Sequence, residues 1–405
     1  CGGCRGEQST TGGVMCPTYR ATGEEIQTTR GRANLLRAAM AGEMRPEEYL
    51  TDTFIEEVLD LCIGCKGCAH DCPSAVDMAK MKAEVTHAYH QRHGASVRTR
   101  LFAQFGRIAP LAARVAPVVN LLQRAPGASM IQERLLGIAQ ERSLPRFAGE
   151  SLRRWYDARG GCALDEQQAK DRVVLLPDTY TMFIEPENGR AAIEVLEAVG
   201  VHVELAPYTG GSGRPPFSKG MLDVARSRAE QTCRTLEPYI SEGRDVVVVE
   251  PSDAVMLQSD YRDLLGASAT AVSEATYGIM EYLRETDALS TVAVAGGDRH
   301  VQYHGHCHQK ATGRAGAAAA VLSAAGYRVD EVDSTCCGMA GSFGYEREHY
   351  DLSQAIADIL IDQLEPTSAI IAASGTSCRT QLGDRALTAE HPVQLVAAAL
   401  DAASA

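Results

Sequence analysis

The chain has 405 residues, enough for two or three domains each with its own core. Its formal net charge of −13, from 39 basic and 52 acidic residues, argues against nucleic acid as a partner. Hydrophobic residues make up 45%, no apolar run reaches the roughly 18 to 20 residues of a transmembrane segment, and no secretory signal is visible, so the 13 cysteines read as metal ligands rather than disulfides.

The N-terminal part, 1–93, reads as an all-α, di-cluster ferredoxin-like domain. It opens on Cys1-Gly-Gly-Cys4, followed by Cys16-Pro17. Gly31–Met40 reads as a helix with Leu35, Leu36 and Met40 on one face. Thr51-Asp52-Thr53 reads as the cap of a helix running through Phe54, Val58 and Leu61. That helix leads into Cys62-Ile-Gly-Cys65-Lys-Gly-Cys68-Ala-His-Asp-Cys72-Pro73, the C-x2-C-x2-C-x3-C-P run that holds cubane iron–sulfur clusters. Ser74 then opens a helix from Ala75 to about Gln91.

The fourth cysteine of such a run ligates the other cluster of a pair. Cys62, Cys65 and Cys68 with Cys16 are therefore expected to hold one [4Fe-4S] cluster, and Cys1 and Cys4 with Cys72 the other. The second set is one ligand short. An upstream cysteine would complete it, which fits a chain whose first residue is not Met; the alternatives are a three-iron cluster or an open iron. Structural zinc and disulfides compete, and the close spacing and the compartment disfavour them. Backbone donors near Gly64 and Gly67 are the expected tuners of the sulfurs.

Residues 94–165 read as a helical connector rich in Arg, Leu and Ala, broken by Pro110, Pro117 and Pro126. Its basic amphipathic stretches offer a face for a partner or a membrane surface.

From Asp171 the chain repeats itself, giving two α/β units with largely parallel sheets, 166–290 and 291–405. In the first, strands at 173–177, 201–205 and 246–249 alternate with helices at 189–199 and 219–240. In the second, strands at 300–304, 327–332 and 369–371 alternate with helices at 313–325 and 350–363. Gly211-Ser212-Gly213 aligns with Cys336-Cys337-Gly338, and Pro-Ser-Asp253 with Thr-Ser-Cys378. Ligands of α/β units bind at the carboxyl ends of strands. Cys307, Cys336, Cys337 and Cys378 all fall there, as four soft ligands for a further iron–sulfur or metal site. Gly338 permits the bend that two adjacent ligands require. Zinc on His306-Cys307-His308, reduced thiols and a redox disulfide remain alternatives. The first unit keeps no cysteine at these places.

Cys162 and Cys233 read as inert packing. Gly210-Gly-Ser-Gly213 lacks the lysine of a phosphate loop. Glu346, Glu348 and His349 read as a solvated helix start.

Cys336-Cys337-Gly338 within a duplicated unit resembles the cysteine-rich CCG domain found in heterodisulfide reductase and in the iron–sulfur subunits of glycolate oxidase and anaerobic glycerol-3-phosphate dehydrogenase. Gly13-Val-Met-Cys16-Pro, Thr29-Arg-Gly-Arg-Ala-Asn34, Cys337-Gly-Met-Ala-Gly-Ser-Phe-Gly-Tyr345 and Gly375-Thr-Ser-Cys378-Arg379 resemble the C-terminal half of FAD-linked D-2-hydroxyacid dehydrogenases of the D-lactate and D-2-hydroxyglutarate type. The resemblance implies an FAD-binding oxidase domain or subunit that takes hydride from the substrate. It also implies an electron-transfer role for this segment, with a quinone, a ferredoxin or an electron-transfer flavoprotein as acceptor. The expected setting is the cytoplasm, or the inner face of the membrane. The resulting fold class is α+β multi-domain: the helical di-cluster domain, the connector and a duplicated CCG-type α/β part. A heterodisulfide-reductase-like catalyst and an iron–sulfur redox sensor are the competing functions.

Overall fold

The computed structural model describes residues 2–6 and 15–404, so the Cys1 assignment lies outside the described residues. The first part is helical. Thr28 caps the helix Thr29–Met40, its hydroxyl accepting from Gly31 N at 2.8 Å. Thr51 caps Asp52–Phe54, which widens into a π-type segment over Ile55–Asp60. Together these bury Phe54, Val58 and Leu59 and deliver the chain at Cys62. The helix expected from Ala75 starts later. Ala75 N donates to Cys72 O in a tight turn that holds Ala75 at φ +48°, so the chain turns helical only after Asp77, whose carboxylate accepts from Lys80 N. The helix is Met78–His93.

Short helices follow at Val97–Ala103, Phe105–Arg114, Ala116–Gln123, Ala128–Leu136 and Leu152–Ala158. Pro117 starts its helix, where a missing N–H costs nothing. Pro110, expected to be a break, lies inside Phe105–Arg114. The helices Phe105–Arg114 and Ala116–Gln123 bend by 105° at their joint, and among the described residues no single helix is long and apolar enough to cross a membrane. Leu111, Val118, Leu121, Leu122, Ile131 and Leu135 stand exposed on this part.

Two small parallel sheets carry the rest. The first has the order β2-β1-β3-β4, with β1 Asp171–Leu175, β2 Val201–Leu205, β3 Asp245–Val248 and β4 Thr276–Gly278. The second has the order β6-β5-β7, with β5 His300–His304, β6 Arg328–Glu331 and β7 Ile370–Ala373. The shared central order, second–first–third strand, is the repeat read from the sequence. Val173, Val174, Leu175 and Val246–Val248 are wholly buried, as parallel strands covered on both faces must be. β2, an edge, alternates instead: Val201, Val203 and Leu205 point inward while His202 and Glu204 are half-exposed. One apolar core runs through both units, with Ile193 and Leu196 of Pro186–Ala198 packed among Val393, Val396 and Ala399 of Pro392–Ser404.

Candidate metal centres

Cys16, Cys62, Cys65 and Cys68 line one small cavity together with Arg32, Lys66 and Met78. Cys16, Cys65 and Cys68 are buried, and the cysteines of the described residues are free of disulfides. Buried thiols facing one hollow are a soft donor set without a covalent partner, which fits a thiolate-bound cluster. Donors surround the sulfurs: Met78 N reaches Cys68 Sγ at 3.4 Å and Arg32 Nη1 reaches Cys16 Sγ at 3.8 Å. Thr18 Oγ1 lies 3.3 Å from Cys16 Sγ. These groups stand ready to tune bound sulfur. Burial, then the neighbouring Cys62, pushes the Cys68 thiol up to about 12, so uncompensated thiolates are costly here and a cation would repay them. Cys4 is buried in the same apolar cluster, and Cys72 packs against it half-exposed.

In the second α/β unit the four predicted cysteines converge. Cys307 opens the helix Cys307–Ala311 after β5, Cys336 and Cys337 follow β6, and Cys378 lies in Thr376–Asp384 after β7. All four are buried. The thiols interact along a chain, Cys307 with Cys336, Cys336 with Cys337 and Cys337 with Cys378. The neighbouring Cys336 draws Cys307 down to about 7, and Cys336 and Cys378 hold Cys337 well below the usual thiol range. Gly338 sits at φ +85°, and a Cβ there would run into Ser353 O, so only glycine turns the adjacent cysteines inward. Arg142, from the connector, braces the site. Its buried guanidinium donates to Gly344 O, Gln381, Asp384 and Ser353 at 2.7–2.8 Å.

The two centres touch. Ile63 and Cys65 share a buried cluster with Cys307, Cys336, Cys337 and Cys378. Burial and then the proximity of Cys307 raise the Cys65 thiol well above its usual range. His308 Nε2 donates to Gly64 O at 3.0 Å, and buried Lys66 pairs with Asp260, which also binds Arg214 at 2.8 Å. No periodicity or motif announces Lys66 or Asp260; both are ordinary charged residues until the fold buries them.

The first unit carries polar residues where the second has thiols. Thr179 follows β1 as Cys307 follows β5, and Ser212 donates to Asp253. Thr179 and its cap Asp178 are counterparts that the sequence repeat does not reveal, because the loop between strand and helix carries no shared residue. Burial, then the charge of Asp178, raises the Asp253 carboxyl to about 8.

Glu346 and His349 are not a solvated helix start. Both are buried, and His349 bridges Asp60 Oδ2 at 3.0 Å and Glu346 Oε2 at 3.4 Å with its ring stacked on Phe343. Burial would lower the imidazole, but the bonds to Asp60 and Glu346 override it and raise it to about 9. The three groups lie close enough to hold a metal ion, yet Lys82 and Lys219 already neutralise the acids, so the trio is an ion network between the cysteine loop and the second unit. Cys162 Sγ accepts from Val203 N at 3.3 Å, and Cys233 is half-buried, in line with packing roles.

Residues 1–76 match the 4Fe-4S dicluster domain, and residues 301–383 match the Cysteine-rich domain. The chain carries an iron–sulfur dicluster domain and a cysteine-rich domain. It is 27% identical over 290 residues to a subunit of the anaerobic glycerol-3-phosphate dehydrogenase of Escherichia coli, covering 70% of this chain and 72% of that protein. It is 24% identical over 414 residues to D-2-hydroxyglutarate dehydrogenase of Pantoea ananatis, covering 91% of this chain but 40% of the relative. The glycolate oxidase iron-sulfur subunit of Escherichia coli is 24% identical over 399 residues, covering 96% and 92%. These relatives are oxidoreductase components, dehydrogenases and an oxidase. The dicluster and cysteine-rich matches fall on the two cysteine centres described above.

Proposed function

We propose that this chain is the electron-transfer part of an FAD-dependent D-2-hydroxyacid dehydrogenase, with D-lactate, D-2-hydroxyglutarate or glycolate as the substrate class and the flavin on another domain or subunit. Cys16, Cys62, Cys65 and Cys68 would hold one [4Fe-4S] cluster. Cys4 and Cys72, with Cys1 and a ligand from outside this set, would hold a second. Cys307, Cys336, Cys337 and Cys378 would hold a third iron–sulfur centre. When bound, such clusters supply one-electron carriage between a two-electron flavin and an acceptor, a quinone, ferredoxin or electron-transfer flavoprotein.

One observation carries this reading: the Cys65 loop is packed onto Cys307, so two thiol centres share one buried cluster. Arg32, Met78 N and Arg142 orient the ligands, and burial shields Cys16, Cys65 and Cys68 from bulk solvent. A disulfide-reductase reading is disfavoured because Thr179, Ser212 and Asp253 replace thiols in the first unit, leaving one cysteine centre where two would be wanted. The test is anaerobic reconstitution with iron and sulfide counts and EPR before and after dithionite. Reducible signals and about eight irons or more support the reading; zinc alone, or a colourless protein silent in EPR, ends it.

The connector face bears on location. Leu111, Leu121, Leu122 and Leu135 stand exposed among Arg114, Arg124 and Arg134, an apolar patch edged by cations on an otherwise acidic chain. We assign it to the surface of an anionic membrane. In co-sedimentation, vesicles containing phosphatidylglycerol are expected to retain the chain, and a Leu121→Ser/Leu122→Ser variant to stay in the supernatant. Equal retention of both would remove the assignment.

A further inference from the structure

A cavity of about 210 Å³ opens between the two α/β units and the connector. The cysteine centre forms one wall, through Cys307, Cys336 and Cys337, and the polar replacements of the first unit, Thr179 and Asp253, form another. Phe102, Phe105, Leu144 and Pro215 give it an apolar body. Four cations also line it, and two of these have an acidic partner: Arg214 pairs with Asp260 and Lys219 with Glu346.

Arg107 and Arg228 are different. Neither has an acidic partner among the described residues, yet they lie close enough for Arg107 to depress Arg228 after burial has done so. Arg228 is 6% exposed; its Nη1 donates to Thr209 O at 2.9 Å and to Gln231 Oε1 at 3.1 Å, and its buried Nη2 has no acceptor. Neither nearby carboxylate pairs with them: Glu250 accepts from Thr376 N and Ser252, and Asp253 from Ser212. A buried guanidinium missing an acceptor beside a second unpaired guanidinium is costly unless something negative joins them. His308 adds an unpartnered buried Nδ1 to the same lining.

We propose that this cavity is a binding site for an amphiphilic organic anion, its carboxylate or phosphate held by Arg107 and Arg228 and its apolar body laid against Phe102, Phe105 and the Cys307 wall. A neutral ligand leaves the like-charged pair uncompensated, which is why charge, not only shape, defines the class. The site shares its Cys307 wall with the iron assignment, while its anion-binding end lies at the arginines, neither of which reaches a sulfur in the structure's hydrogen bonds.

The test is titration calorimetry on the full chain, purified anaerobically, with three probes sharing one ring system: 1-naphthoate, 1-naphthyl phosphate and the neutral 1-naphthylmethanol. At least one anion is expected to bind roughly tenfold or more tightly than the alcohol, the gain of a charge-assisted contact. The better anion tells a carboxylate source from a phosphate one. Arg107→Gln, an exposed position that leaves the fold alone, is expected to erase most of that preference, and Arg228→Gln the same if it folds. Equal affinity for the neutral probe, an Arg107→Gln variant that keeps the full preference, or no saturable heat with either anion would overturn the proposal. The metal content of the same samples is counted separately, so a failure here leaves the electron-transfer reading standing.

Discussion

A chain carrying Cys65→Ser and Cys68→Ser together is expected to leave anaerobic purification with about four fewer irons than the parent, one cubane's worth. The two sulfurs are half of the set around the small cavity with Cys16 and Cys62. Losing one ligand can leave a three-iron remnant; losing two leaves no frame to hold the cluster. Cys233→Ser, a half-buried site far from this set in the chain, is the control and should keep its iron. Iron and acid-labile sulfide counts check the result, with circular dichroism to show that the helices persist. A double variant with the parent's full iron would refute the ligand assignment. Because Cys65 also packs on the Cys307 centre, the residual clusters of the double variant should be reduced more slowly from an external donor, read by stopped-flow bleaching.

Removing the imidazole of His349 is expected to cost about 3 kcal/mol of stability, the low end for breaking a buried ion pair, since Lys82 and Lys219 remain beside Asp60 and Glu346. Urea unfolding of His349→Ala against the parent measures it. A loss under about 1 kcal/mol, the scale of a surface pair, would show that the bridge does not lock the two parts. Its pH dependence has a definite sign. The folded imidazole is held at about 9, above its ordinary 6.5, so the charged form is favoured by folding. That stabilisation is complete below about pH 6.5 and falls away as pH rises through 9. The parent should lose urea resistance over this window and His349→Ala should not. Glu346 runs the other way. Burial opposes its charge, but Lys219 and His349 hold it down to about 2, so its share is present above pH 4.5 and is lost as pH falls through 2.

Much of this was readable before folding, for different reasons at different places. The Cys62–Cys72 spacing is short-range, and a loop that places three thiols within seven residues leaves them little choice but to face one hollow. The strands of both units were legible because parallel strands buried on both faces become unbroken runs such as Val246-Val-Val-Val249. The convergence of Cys307, Cys336, Cys337 and Cys378 followed from the rule that strand ends share one edge. The misses share a cause. Glu346 and His349 are polar in sequence and look like surface; only the approach of Asp60, nearly three hundred residues away, buries them. Lys66 and Asp260 are hidden for the same reason, and so is Arg142. The Ala75 helix start failed on local geometry: the tight turn after Pro73 forces Ala75 left-handed, and Asp77 then caps better than Ser74. Thr179 as the counterpart of Cys307 shows only in the helix starts after β1 and β5, since the two loops share no letter.

The clasp formed by Lys66 with Asp260, His308 with Gly64 and His349 with Asp60 has a consequence for traffic. Held from both α/β halves, the helical front end is no swinging arm that ferries charge between stations. It is a fixed terminal. On the proposed electron-transfer reading, throughput should therefore depend on how the donor, whether a joined domain or a separate subunit, seats against this face, not on any hinge inside the clasped part.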